Sequence, residues 1–213
     1  MIITIGGEYG CGSKETARLV AASLGYKIYD DEIVTEAYNA GGTYMDESTL
    51  RFYDESEGLA SVDDIAELSR VQKGLSNAMR SLSLDVLPLD LRLDAAIHGA
   101  LNRLAEGDNC IFLGRCANYY LRGRANVITL FFADTEEHKT ARIMKHLDCD
   151  AQTAQKFIKR TDKRRAEFYS YFTGEKWDDA GNYDIRINCD LLGEEGSAEL
   201  IKAAVAIKEK YMK

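Results

Sequence analysis

Short apolar runs and longer amphipathic stretches alternate along most of this chain. Ile2-Ile3-Thr4-Ile5 is a β-branched run of the kind that forms a buried strand. Residues 13–24 place Ala17, Leu19, Val20, Ala21 and Leu24 mostly on one helical face, with Gly25 as the stop. Tyr26-Lys27-Ile28-Tyr29 predicts a second strand. Asp30-Asp31-Glu32 at its carboxyl end predicts the cap and first turn of a helix reaching about 40, broken by Gly41-Gly42. Residues 43–61 are polar, acidic and loop-like, with room for a helical stretch around 46–55. A long helical run covers about 62–83. Leu87-Pro88 carries the single proline and predicts a joint between helices. A helix over 90–106 sets Leu91, Leu93, Ile97, Leu101 and Leu104 on its apolar face.

The second half repeats the alternation. Cys110-Ile111-Phe112-Leu113 reads as a buried strand ending in Gly114-Arg115, followed by a helix over about 116–121. Ala125 to Phe132 is the next strand, and the unbroken apolar run from Val127 suits a parallel sheet covered on both faces. Asp134 opens a helix to about 147, and Asp150 opens another that runs to about 172. Tyr183 to Asn188 is the last strand and 194–211 the closing helix. The expected product is an α/β fold, a parallel sheet between two layers of helices. Ligands of such folds bind outside the carboxyl ends of the strands, where residues 7–16, 30–32, 114–115 and 134 all fall.

Length and composition narrow the class. A chain of 213 residues fits one α/β domain and needs no disulfide or metal staples. The formal net charge of −8 disfavours bulk binding to nucleic acid or membrane. No apolar run approaches the roughly 20 residues of a membrane span. The first residues enter a strand directly, which predicts no signal peptide. The five cysteines form no C-x-x-C pair, so reduced thiols in a cytoplasmic protein are expected.

The first strand runs into Gly6-Gly7-Glu8-Tyr9-Gly10-Cys11-Gly12-Ser13-Lys14-Glu15-Thr16. Gly-x-x-x-x-Gly-Lys-Ser/Thr marks a phosphate-binding loop, whose backbone N–H groups and helix N-terminus hold an anion. Here the pattern holds from Gly7 to Gly12 and then reads Ser13-Lys14 in place of Lys-Ser/Thr. Two registers fit. Without a gap, Ser13 replaces the lysine and Lys14 takes the hydroxyl position; with one extra loop residue, Lys14 regains its role and Thr16 supplies the hydroxyl. The alternative is a plain glycine-rich turn. Cys11 either has its thiol pKa lowered near the helix N-terminus or simply fills a loop position.

Three further features carry chemistry. Asp30 and Asp31 sit at a strand end, placed to hold Mg²⁺, to accept a proton, or only to cap a helix. Arg115 follows a buried strand, placed to clamp a phosphoryl group or to form a structural ion pair. Lys156, Lys159, Arg160, Lys163, Arg164 and Arg165 make a basic run in an acidic chain. Such a run is either a solvated face or a local polyphosphate site. The three histidines, 98, 138 and 146, show no catalytic or metal-ligating spacing.

These residues together resemble the cytidylate kinase-like proteins, a bacterial group related to cytidylate kinase. The resemblance rests on Ile3 to Ala17, Tyr29-Asp30, Gly114-Arg115-Cys116-Ala117-Asn118-Tyr119, Thr161 to Tyr169, and Trp177 with Asn182-Tyr183-Asp184 and Asn188. It implies a P-loop nucleoside monophosphate kinase fold: a single domain over 1–213, with a core of about 1–42 and 107–213, a helical acceptor-binding insert of about 43–106 and a lid of about 148–180. It also implies transfer of the ATP γ-phosphoryl group to a nucleoside monophosphate, with Mg²⁺. Gly7, Gly10 and Gly12 match the family's phosphate loop, whereas the lysine matches only with a gap. Asp30 matches an acceptor-site aspartate, but Glu36 stands where an arginine is expected. Gly114 and Arg115 match the Gly-Arg of an Asp-Gly-Arg-Asp signature whose aspartates are here Leu113 and Cys116. Asp162 and Arg165 match an Asp-x-x-Arg that contacts the acceptor nucleotide, and Arg142 falls near an arginine of the helix before the lid.

On this reading the backbone of Gly10, Cys11, Gly12, Ser13, Lys14 and Glu15 holds the β-phosphate, with Lys14 near the β/γ oxygens. Thr16 or Ser13 ligates Mg²⁺. Arg115, Arg160 and Arg165 neutralise the transferring group. Asp30, Arg115, Asp162 and Arg165 meet the acceptor, and Arg51, Arg70, Lys73 and Arg80 of the insert are further phosphate contacts or surface charges. Nucleotides are then the partners. The displaced lysine and missing aspartates also fit a nucleotide-binding regulatory protein, and Glu36 fits a kinase for another small acceptor.

Overall fold

The computed structural model describes residues 1–41, 89–107 and 109–211. Five strands form one sheet: β1 (Ile2–Gly7), β2 (Lys27–Tyr29), β3 (Cys110–Leu113), β4 (Val127–Ala133) and β5 (Ile185–Asn188). Their order across the sheet is β2-β3-β1-β4-β5, and every neighbouring pair is parallel. The described helices are α1 (Ser13–Leu24), α2 (Asp31–Gly41), α3 (Leu89–Leu104), α4 (Ala117–Leu121), α5 (Glu136–Leu147), α6 (Ala151–Thr173) and α7 (Cys189–Tyr211). The helical stretches expected at 46–55 and 62–83, the Leu87-Pro88 joint and the loop 43–61 lie outside the described residues. Among those described, no helix is long and apolar enough to cross a membrane.

Parallel strands cannot be joined by tight hairpins, so helical crossovers carry the chain back and cover both faces. Strand β1 shows the result. Ile2 pairs with Cys110 on one side and with Val127 on the other. Side chains alternate across a strand, so Ile2 enters one core and Ile3 and Ile5 the opposite one. Ile2 packs in a cluster with Ile33 of α2, Leu101 of α3, Phe112 of β3 and Phe168 of α6. Ile3 and Ile5 share the other cluster with Val20 of α1, Phe132 of β4 and Ile201 and Val205 of α7. This is the three-layer α/β/α arrangement expected of the alternating pattern.

The elements follow the sequence expectation with two informative differences. Strand β5 begins at Ile185 rather than Tyr183. Just before it, Asp184 N–H still bonds the Thr129 carbonyl at 2.9 Å, but its carboxylate accepts Thr129 N–H at 2.8 Å and the Thr129 hydroxyl at 3.1 Å, so a side chain shares the pairing. Helix α7 opens at Cys189 rather than 194, because Gly193 at φ 64° joins a first turn to the main helix across a kink. Helix α3, the end of the expected insert, is built into the core. Ile97, Ala100 and Leu101 are buried in the same cluster as Ile2 and Phe112.

Phe112 is fully buried and stacks on Tyr29 at a ring separation of 5.3 Å. Phe112→Ala is expected to cost about 3–5 kcal/mol in urea unfolding. Leu191→Ala, at an 80% exposed position, is expected to stay within about 0.5 kcal/mol of the parent.

Candidate active site

Strand β1 ends at Gly7 and α1 starts at Ser13, so Glu8 to Gly12 make up the whole loop. Ser13 and Lys14 are therefore the first two residues of α1. Gly10 and Gly12 have φ of 83° and 82°, a region that a side chain makes costly. At Gly7 the constraint is space, since a Cβ would lie 2.9 Å from the Phe132 side chain. No side chain caps α1. Its first turn leaves amide N–H groups without intrahelical partners and adds the partial positive charge of the helix end.

Side chains of α5 and α6 grip the loop residue by residue. Arg165 Nη1 donates to the Gly7 carbonyl at 2.8 Å, and its guanidinium lies 5.4 Å from the Tyr9 ring centre. Lys139 Nζ reaches Glu8 at 2.9 Å and Glu136 at 2.6 Å. Tyr9 N–H donates to Asp162 Oδ1 at 2.6 Å. Arg142 donates to the Gly10 carbonyl and pairs with Asp134 at 3.2 Å and with Glu194 of α7. Burial pushes the Asp162 carboxyl up to about 6, although Tyr9 N–H and the nearby Arg165 and Lys139 charges favour its ionised form. Arg142 thus sits on the outer flank of the loop as a brace.

The cleft opens on the other flank, at the carboxyl ends of β1 and β3. Ser13, Lys14, Asp30, Arg115 and Arg165 line its polar side. Lys14 Nζ is bonded to Asp30 Oδ2 at 2.7 Å. Arg115 is only 2% exposed, and its Nη2 lies 3.8 Å from Asp31 Oδ1. It follows an unusual turn: Gly114, Arg115 and Cys116 have φ of 68°, 57° and 55°. For the two residues with a side chain this left-handed geometry costs roughly 1–2 kcal/mol each. Strain of this kind concentrates at functional sites, and here it seats an arginine in the cleft. Tyr169, Trp177, Tyr183 and Asn118 form the opposite wall.

The structure therefore brings together Gly7, Ser13, Lys14, Asp30, Arg115 and Arg165. It places other expected site residues elsewhere. Thr16 is fully buried on the inner face of α1 and does not line the cleft, whereas Ser13 does. Glu15 points to solvent beside Arg18 at 3.7 Å. Cys11 is buried, and burial pushes its thiol up to about 11 despite hydrogen bonds from Ser13, opposite in direction to a lowered, reactive thiol. Arg160 is exposed, with its guanidinium over the Phe157 ring at 5.7 Å. The basic run splits by helical phase: Lys156, Lys159 and Lys163 face solvent, while Asp162 and Arg165 turn inward. Glu36 pairs with Arg103 of α3 at 2.7 Å. Arg51, Arg70, Lys73 and Arg80 lie outside the described residues. Unforeseen from spacing, His138 Nδ1 sits 3.1 Å from Asp190 and 3.5 Å from Asp134. The i, i+4 spacing of Asp134 and His138 was the only available signal.

The model of one family, described as the cytidylate kinase-like family, matches residues 2–191. No curated protein matches the chain. An uncharacterized protein from Eubacterium ventriosum, 21% identical, aligns over 97% of this chain and 98% of its own with a TM-score of 0.67, which shows a shared fold. Shikimate kinase from Bacteroides thetaiotaomicron is 13% identical over 97% of this chain and 98% of its own, with a TM-score of 0.48. Deoxyadenosine kinase from M. mycoides is 15% identical over 97% and 99%, with a TM-score of 0.44.

The raised Asp162 value has a signed consequence. Between the ordinary carboxyl value of 3.8 and about 6, the folded chain binds more protons at this site than the unfolded chain. Its contribution to stability therefore falls as pH rises through that window. Asp162→Asn removes the titration but keeps an oxygen for Tyr9 N–H. Urea unfolding at pH 4 to 7 is expected to show the variant gaining on the parent as pH rises.

Proposed function

The chain belongs to the cytidylate kinase-like family, and on that premise we propose that it is an ATP-dependent phosphotransferase acting on a nucleoside monophosphate. The observation that carries this reading is one cleft holding both an uncapped phosphate loop and the buried Arg115. Phosphoryl transfer asks a protein mainly to position two substrates and to stabilise charge. The amides of Gly10 to Glu15 and the N-terminus of α1 are the natural seat for the ATP phosphates. Lys14 is half-exposed at the cleft edge, and a phosphate entering there competes with Asp30 for its ammonium. Arg115 and Arg165 flank the loop and offset the charge spread over the transferring group. The acceptor lies on the side of Asp30 and the aromatic wall.

Mg²⁺ takes hard oxygen ligands, commonly one or two carboxylates besides substrate phosphates. The Ser13 hydroxyl and the Asp30 carboxylate both line the cleft and fit that donor set, so these two residues would hold it. When bound, the ion neutralises phosphate charge. The aromatic side chains around the cleft exclude water from the transferring group.

A second reading has its own observation. Lys14 is tied to Asp30, so the lysine in the first turn of α1 is engaged by the protein's own carboxylate. That arrangement suits a regulatory protein that binds nucleotide without efficient turnover.

A coupled assay for ADP formation, run with ATP, Mg²⁺ and a panel of monophosphates and other small acceptors, separates these readings. Acceptor-dependent ADP is expected. ATP binding with no acceptor-dependent ADP would favour the regulatory reading. Lys14→Ala should lower kcat by roughly 10²-fold. Its unfolding free energy should move by no more than about 1 kcal/mol, since an exposed ion pair contributes little.

A further inference from the structure

The aromatic wall of the cleft contains one amide whose orientation is dictated by its neighbours. Asn118 is 6% exposed and lines the cleft at the start of α4, three residues after Arg115. Its Nδ2 donates to Tyr169 Oη at 2.8 Å and to the Asn182 carbonyl at 3.4 Å. A carbonyl only accepts, so the nitrogen of this amide must face Asn182 and the flip is assigned. The Tyr169 hydroxyl then donates onward to Glu175 at 3.5 Å. Glu175 is itself held by Arg122 through two bonds of 3.0 and 2.8 Å. The chain Arg122–Glu175–Tyr169–Asn118 runs from an exposed pair to the cleft wall.

Both amide hydrogens of Asn118 are therefore occupied, while Oδ1 receives no hydrogen bond from a described residue. Its neighbours on the wall are arranged differently. Tyr183 spends its hydroxyl on the Trp177 carbonyl at 2.7 Å, and Trp177 packs edge-on against Phe131. With its nitrogen engaged by the protein, the amide has its oxygen left as the acceptor it can offer to a group entering the cleft. A carbonyl oxygen repels anions, so the phosphate belongs to Arg115 and the group facing Asn118 is a hydrogen-bond donor, which on a nucleoside monophosphate is an uncharged N–H or O–H.

We propose that Asn118 is a specificity-determining residue: its Oδ1 accepts a hydrogen bond from an uncharged N–H or O–H group on the phosphate-bearing acceptor. This rests on the reading of the chain as a monophosphate phosphotransferase. The donor is an exocyclic amine of the base or a hydroxyl of the sugar.

Calorimetric titration of the full chain, with a non-hydrolysable ATP analogue bound, tests this using matched pairs. CMP against UMP and AMP against IMP exchange an amine for a carbonyl. CMP against dCMP removes the 2′-hydroxyl. At least one pair is expected to favour the donor-bearing member by about tenfold, the usual worth of one hydrogen bond to a neutral group. In Asn118→Leu the preference should shrink to about twofold or less, with affinity for the ATP analogue unchanged. Binding without any pairwise preference in the parent, or a preference that survives in the variant, overturns the role of Asn118 alone. If the ATP analogue binds and no monophosphate does, the acceptor reading itself fails and the role of Asn118 falls with it.

Discussion

Two-sided burial of strand β1 is the constraint on which the rest of this structure depends. The strand is bonded to β3 on one edge and β4 on the other, and its alternate side chains enter opposite cores. Nothing in Ile2 to Ile5 can shift without disturbing both. The chain therefore leaves β1 at a fixed point, and the Glu8–Gly12 loop begins on a rigid base. Close packing does the rest: Phe132 leaves no room for a side chain at Gly7, and the left-handed Gly12 turns the chain directly into α1. A loop that must present amides to an anion gains from this, because little ordering remains to be done when the anion arrives.

The electrostatics follow a consistent scheme in a chain of net charge −8. Cations near the loop are held by carboxylates or carbonyls. Lys139 has Glu8 and Glu136, Arg142 has Asp134 and Glu194, and Arg165 has the Gly7 carbonyl. Lys139 and Arg142 brace the outer flank of the loop, while Arg165 also lines the cleft. On the cleft flank, Lys14 pairs with Asp30 and Arg115 lies near Asp31. The same residue types thus serve two purposes, and which one each serves depends on which flank its helix presents.

Much of the fold was legible in the sequence. The alternation of short β-branched runs with helical periods predicted each described strand, and the continuous apolar character of Val127 to Phe132 predicted cover on both faces. The phosphate loop, Arg115 at a strand end and Asp30 at another were legible for the same reason: strand ends in a parallel sheet collect on one edge. The functional sorting of the basic run was not. Arg160 and Arg165 sit five residues apart on α6, about 140° around a helix, so only one of them turns toward the loop. The buried Ile158, Phe168 and Tyr169 set that rotation, and Arg165 shares their side. Thr16 and Ser13 were open alternatives in the sequence for the same kind of reason, since the rotation of α1 decides which hydroxyl lines the cleft, and Ser13 does.

The sequence by itself determined the order of elements, the sheet's two-sided burial and the location of the phosphate loop. Each follows from local periodicity and from glycine at positions whose backbone excludes a side chain. Tertiary structure decided the partners of Lys14 and Arg115, the inward face of α6 and the locked amide of Asn118. Those depend on contacts between residues far apart in the chain, such as Tyr9 with Asp162 and Arg142 with Glu194. A periodic pattern says which face of a helix is apolar. Only packing against the rest of the molecule says which polar residue at the border of that face meets the ligand.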